Sequence, residues 1–153
     1  MSITGAPSRA DFSEMLRVWE RSVRATHHFL GEDDIDAIRP EVIAVFESAE
    51  SIGLALRVCR DAEGRPIGFS GAVAGRLEML FIDPGHAGRG LGRALLEQAI
   101  VESGVRETDV NEENPEALAF YRRMGFEAIG RSALDSAGRP FPLLHLELRQ
   151  RAL

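Results

Sequence analysis

Three groups of residues in this 153-residue sequence have types and spacings suited to chemistry. The first is a glycine run, Gly88-Arg89-Gly90-Leu91-Gly92, closed by Arg93. Glycines adopt backbone angles that other residues resist, so several N–H groups can converge on one point. If a helix starts there, its first N–H groups lack partners and its dipole adds positive charge, a combination suited to phosphate. The same glycines would also serve a plain tight turn. The second is Tyr121, the one tyrosine of the chain. A phenol of pKa about 10 stays protonated at neutral pH and can give a proton to a leaving group. Without further context it also reads as a core aromatic beside Phe120. The third is a scattered set of acid–base groups: Glu78, Glu112, the pair His27-His28 and His145.

The elements that must position these groups follow from the pattern around them. Leu77 to Ile82 is strand-like, Asp83-Pro84-Gly85 is a turn, and Leu91 to Glu102 has Leu91, Ala94, Leu95 and Ala99 at helical spacing. The run is therefore strand, glycine loop, helix. Alternation places Glu78 on the same strand face as Leu80 and Ile82. A P-loop would need Lys and a hydroxyl where Leu91-Gly92 stands, and a Rossmann fingerprint would need wider glycine spacing near a first strand.

Upstream, Met1 to Thr4 reads as an edge strand. Ser8 to Asp11 forms a capping box ahead of an amphipathic helix over about 9 to 25, with Phe12, Met15, Leu16, Trp19 and Val23 on its stripe. Glu32-Asp33-Asp34 opens a second helical pattern, which Pro40 is expected to kink or split into two short helices. Leu54 to Arg60, Ile67 to Val73 and the strand from Leu77 make an antiparallel meander, with Asp61 to Pro66 as its first hairpin turn. Downstream, Glu107 to Val110 is a short strand expected parallel to the central one. Asn114-Pro115-Glu116 caps a helix that ends at Gly125. Phe126 to Leu134 and Phe141 to Leu148 form a closing hairpin, whose turn repeats the D-x-x-G-R-P of residues 61–66.

Two motifs together resemble the GNAT superfamily of N-acetyltransferases. Ala87-Gly88-Arg89-Gly90-Leu91-Gly92 is similar to its pyrophosphate motif, with Ala87 where Arg or Gln is usual. Asn114-Pro-Glu-Ala117-Leu-Ala-Phe120-Tyr121-Arg-Arg-Met-Gly125-Phe126 is similar to its second signature at every defined position. The stretches ATHHFL, VNEEN and GRPFPLLHL resemble the YjaB-type branch of the superfamily. The resemblance implies an α/β fold. Its sheet would be mixed and mostly antiparallel, of six or seven strands, flanked by about four helices and splayed between two central parallel strands. It implies acetyl-CoA as co-substrate, with no metal. The backbone of Leu80, Phe81 and Ile82 would hold the pantetheine arm. Gly88, Arg89, Gly90, Leu91, Gly92 and Arg93 would hold the pyrophosphate. Asn114 would bond the pantetheine, and Tyr121 would act as general acid on the departing thiolate. Glu78 is the first candidate for the base, and His27, His28, Arg76, Glu112 and His145 are candidates for the acceptor side. The acceptor would be a small-molecule or protein amine.

The totals bound the rest. A chain of 153 residues suits a single domain spanning 1–153. A formal charge of −6 disfavours wholesale nucleic-acid binding. All 18 basic residues are arginine, so only an N-terminal amine is open to self-acetylation. Cys59 is alone and excludes an internal disulfide. The opening residues carry no signal pattern and no apolar run reaches a membrane span, so a cytoplasmic protein, monomeric or homodimeric, with no membrane partner is expected. Two rivals stand beside the acetyltransferase: a CoA-binding regulatory module without efficient turnover, and a nucleotide-binding module using the glycine loop.

Overall fold

The computed structural model describes residues 2–149. Seven strands and four helices run in the order β1 (Ser2–Thr4), α1 (Phe12–Thr26), α2 (Glu32–Ile52), β2 (Ala55–Arg60), β3 (Pro66–Val73), β4 (Arg76–Ile82), α3 (Leu91–Ser103), β5 (Glu107–Asn111), α4 (Pro115–Arg123), β6 (Phe126–Ser132) and β7 (Leu143–Leu148). One sheet holds all seven strands in the order β1-β2-β3-β4-β5-β7-β6. Every neighbouring pair is antiparallel except β4 and β5. This is the mixed, mostly antiparallel α/β architecture expected from the sequence. Ser2–Thr4 is indeed an edge strand, while Met1 lies outside the described residues.

Helices cover both faces. On one face, Met15, Val18, Trp19 and Val23 of α1 and Ile35, Val42 and Phe46 of α2 bury against Leu56, Val58 and Phe69, with Met79 and Phe81 packed alongside. On the other, Leu96 and Ala99 of α3, Tyr121 of α4 and Met124 just after it bury against Leu77, Val110, Phe126, Leu146 and Leu148. One smaller group completes the packing, with Leu91 and Leu95 against Cys59 and Ile67. Burial of one such Leu or Phe side chain stabilises by about 1.5–3 kcal/mol.

Two expectations need correction. Pro40 does not divide the second helix, which runs unbroken from Glu32 to Ile52. Proline at 40 removes only the N–H that would bond the carbonyl of Asp36, and both residues lie on the solvent side, where water can serve that carbonyl. Ile35, Val42, Phe46 and Ala49 bury on either side of it and hold the two halves in one continuous helix. The second correction concerns β4. Its pairing with β3 passes from Gly71↔Met79 to Ala72↔Leu77, which leaves Glu78 as the extra residue of a β-bulge. The bulge breaks the alternation, so Glu78 does not share a face with Leu80 and Ile82 by simple counting.

Candidate active site

The parallel pair at the centre of the sheet is joined only at its start. Arg76 pairs with Glu107 and Leu77 with Thr108, and the ladder stops there. The Thr108 hydroxyl donates to the Leu77 carbonyl at 2.9 Å and ties the strands at the point of divergence. Beyond it β4 and β5 spread, and a cleft opens between them, lined by Leu80, Phe81, Asp109, Asn114 and Tyr121 among others. The cleft continues as a cavity of about 430 Å³ past Ile82, Pro84, Gly92 and Phe120. It then meets a second hollow of about 460 Å³ over the glycine loop, lined by His86, Gly88, Gly90, Arg93 and Arg123.

The loop is built as the glycines suggest. Gly88 and Gly90 sit at φ 78° and 77°, angles closed to most residues. Leu91 is buried and anchors the first turn of α3. The first helical bond is Ala94 N–H to the Gly90 carbonyl at 3.0 Å, so the N–H groups of Leu91, Gly92 and Arg93 have no partner within the helix. Arg93 lines the hollow and pairs with Glu97 at 3.1 Å. Arg89 is exposed and is not among the residues lining the hollow. Arg123, from the end of α4, faces the loop instead.

Tyr121 closes the inner end. Its ring packs edge-on against Phe120 and Phe126, at centroid distances of 5.1 and 5.6 Å. Burial pushes its phenol well above the ordinary tyrosine range, and a hydrogen bond with Thr108 opposes this only in part. The group is therefore a protonated donor at any working pH. Asn114 is buried, and its side-chain oxygen accepts from the Ala117 N–H at 3.3 Å as the cap of α4. That orientation turns its amide N–H₂ away from the cap, and the residue lines the cleft.

The acid–base candidates separate. His27 lines the cleft together with Tyr121. Burial, helped by repulsion from His28, lowers its pKa to about 4. The Thr26 hydroxyl donates to the Ser22 carbonyl at 2.8 Å, so His27 Nδ1–H donates to Thr26 Oγ1 at 2.7 Å and Nε2 carries the lone pair. Glu78 also lines the cleft, but it is 46% exposed and lies 3.5 Å from Arg76. The other candidates are not brought to the cleft. His28 is exposed. Arg76 is taken up by Glu107 at 3.0 Å and Asp109 at 2.9 Å. Glu112 pairs with Arg131, which holds its carboxyl below the usual range. His145 bonds Asp109 and Ser132. Among the described residues, no group of three or more His, Cys, Asp or Glu stands where it could hold a metal ion.

Residues 39–128 match the acetyltransferase (GNAT) domain family. The chain is 37% identical over 133 residues to the peptidyl-lysine N-acetyltransferase YjaB of Escherichia coli, covering 87% of each chain. It is 36% identical to the Salmonella typhimurium protein of the same name, covering 87% of this chain and 88% of that one. This chain belongs to the GNAT acetyltransferase family. The solution structure of apo YjaB from E. coli superposes with a TM-score of 0.84 at 35% identity, covering 97% of this chain and 98% of that one. The PaiA N-acetyltransferase of Thermoplasma acidophilum, solved with coenzyme A, shares the fold at a TM-score of 0.71 and 19% identity, covering 97% of this chain and all of the other.

Two residues of this GNAT site were not singled out in the sequence. Thr108 alternates with Glu107 and Asp109 in a short strand, so its burial was legible, but its tie to Leu77 depends on the strand pairing. Arg123 carried no signal, because its place over the glycine loop follows from how α4 packs beside α3.

Proposed function

We propose that this protein transfers the acetyl group of acetyl-CoA to a primary amine by direct attack within a ternary complex, with a peptidyl lysine as the favoured acceptor. The observation that carries this reading is one continuous cleft with the glycine loop and the unpartnered N–H groups of α3 at one end and Tyr121 at the other. The likeness to YjaB, a peptidyl-lysine acetyltransferase by name, supports the choice of acceptor.

Each residue then has a role its surroundings suit. The pyrophosphate rests on the N–H groups of the loop and α3, with Arg93 and Arg123 adding charge. The pantetheine lies in the gap as a further strand against Leu80, Phe81 and Ile82, and Asn114 donates its amide to it. A backbone N–H of that same segment meets the oxyanion of the tetrahedral intermediate. The acceptor enters at the end where Glu78 and Asp109 line the cleft, an anionic mouth for an ammonium group. The ammonium must lose a proton before attack, and His27, neutral with Nε2 unprotonated, together with Glu78, is placed to receive it. As the C–N bond forms and the C–S bond breaks, Tyr121 protonates a thiolate whose thiol has a pKa of about 8.5 by analogy with cysteine.

The test is calorimetric titration with acetyl-CoA, with ATP and NAD as controls, followed by turnover on a lysine peptide. The sequence contains no lysine, so every acetyl-lysine formed belongs to the added substrate. Binding of acetyl-CoA alone, at about one per chain, with acetyl-lysine appearing in the peptide, is the expected result. Binding without turnover on any amine would point to a regulatory CoA-binding module, and no binding at all would remove the reading.

A further inference from the structure

Three adjacent strands place three side chains on one face, running from Asp109 at the cleft to Ser132, which is not among the cleft's lining residues. In the β5–β7 register Asp109 lies directly opposite His145, and in the β6–β7 register Gly130 lies opposite His145 on its other side. Ser132 is two residues beyond Gly130, hence on the same face and diagonal to His145. Gly130 carries no side chain, and a Cβ there would lie 3.5 Å from His145 Cδ2. The ring therefore lies against bare backbone, and the serine reaches across it. His145 Nδ1 is 2.7 Å from Asp109 Oδ1, and His145 Nε2 is 2.6 Å from Ser132 Oγ. Arg76 holds the second oxygen of Asp109 at 2.9 Å.

The proton positions follow from the partners. An ionised carboxylate only accepts, so Nδ1 carries the hydrogen and donates it to Asp109. Nε2 of the neutral ring then holds a lone pair, and the Ser132 hydroxyl donates to it. A nucleophile within hydrogen-bond reach of a base that is itself oriented by a third group is the arrangement that activates serine. Asp109 lines the cleft, whereas Ser132 is not among its lining residues. Ser132 sits on β6, the edge strand of the sheet, half-buried, with Leu143 as its direct cross-strand neighbour to flank a short acyl chain.

We propose that Ser132, His145 and Asp109 form a second reactive centre, in which Ser132 is a nucleophile toward short-chain acyl esters. In the acylation step Ser132 Oγ bonds the ester carbonyl carbon and passes its proton to His145 Nε2. The C–O bond to the alcohol breaks, and His145 returns the proton to the departing oxygen. Water, deprotonated by the same nitrogen, then releases the acid and regenerates the hydroxyl. This activity needs no CoA and uses Ser132 as its nucleophile, although Asp109 also lines the proposed entrance for the amine.

The probe is p-nitrophenyl acetate with the full chain in the absence of CoA, followed by release of nitrophenolate and by intact-mass and peptide mapping. One acetyl group at Ser132 is expected. Its formation should slow by about 10²-fold in His145→Gln, the scale of a lost general base. Ser132→Ala should abolish that label while leaving acetyl-CoA-dependent acetylation of a lysine peptide intact, which separates this centre from the amine site. Circular dichroism and acetyl-CoA titration of each variant show that it is folded. Labelling of Ser132 at an unchanged rate in His145→Gln, or label only at other residues, would overturn the proposal.

Discussion

Replacing Tyr121 with phenylalanine removes one oxygen from a buried site and tests the proposed proton donor. The ring contacts with Phe120 and Phe126 survive, because they involve the aromatic faces and edges. Thr108 also keeps its bond to the Leu77 carbonyl, so the tie at the mouth of the splay stays satisfied. What is lost is one neutral hydrogen bond, worth about 0.5–1.5 kcal/mol of stability. The chemical loss is larger. The phenol is held protonated by burial, and no other donor lines the inner end with the same certainty of charge state. Withdrawal of general-acid help should lower kcat by about 10²- to 10⁴-fold, with the Kd for acetyl-CoA within about twofold of wild type. The assay pairs steady-state acetylation of a lysine peptide with calorimetric Kd and urea unfolding of both proteins. A thioester with a more acidic thiol should recover much of the rate, because its thiolate leaves without a proton. A kcat within threefold of wild type, or a rate loss matched by an equal loss of acetyl-CoA affinity, would refute the assignment.

Three further outcomes are expected. His27 has a folded pKa of about 4 against an ordinary 6.5, so the unfolded chain binds its proton first. Stability should therefore fall by about 3 kcal/mol as pH drops from 6.5 to 4, with little contribution above that window, and His27→Asn should flatten this part of a urea-unfolding pH series. A Cβ at Gly68 would lie 2.7 Å from Ile82 Cδ1 and 3.3 Å from the Phe81 carbonyl oxygen, so Gly68→Ala should cost about 1–3 kcal/mol and weaken acetyl-CoA binding by pressing Ile82 into the cleft. Asn114→Ala loses the cap of α4, about 1 kcal/mol in thermal unfolding, and should also raise the Kd for acetyl-CoA by removing a donor from the cleft.

What the sequence revealed follows the range of the interactions involved. The glycine loop, the Asn114 cap and the helix ending near Gly125 are local devices, and each stands where its residues put it. The meander of β2, β3 and β4 follows from alternation and turn chemistry. The bulge at Glu78 was hidden because it is a mismatch between two strands, and neither strand alone records it. Pro40 misled because its cost is local while the burial on either side of it is tertiary. Among the acid–base candidates, composition could not separate His27 from His28 or His145. Only the packing brings the first into the cleft and binds the last to Ser132 and Asp109.

The position of β7 between β5 and β6 bears on how the protein is made. A polypeptide emerges from its N-terminus, and domains generally fold as their parts appear. β1 to β4 with α1, α2 and α3 are complete in sequence by Ser103 and can pack as they leave the ribosome. Among the described residues, β5 then meets β4 through two residue pairs only, and β6 has no sheet neighbour except β7. Leu143–Leu148 must therefore arrive before the second wall, with Tyr121 behind it, is fastened in place. A chain halted before Leu143 would carry the glycine loop and the whole first wall, yet would leave the second wall, and Tyr121 with it, unfastened.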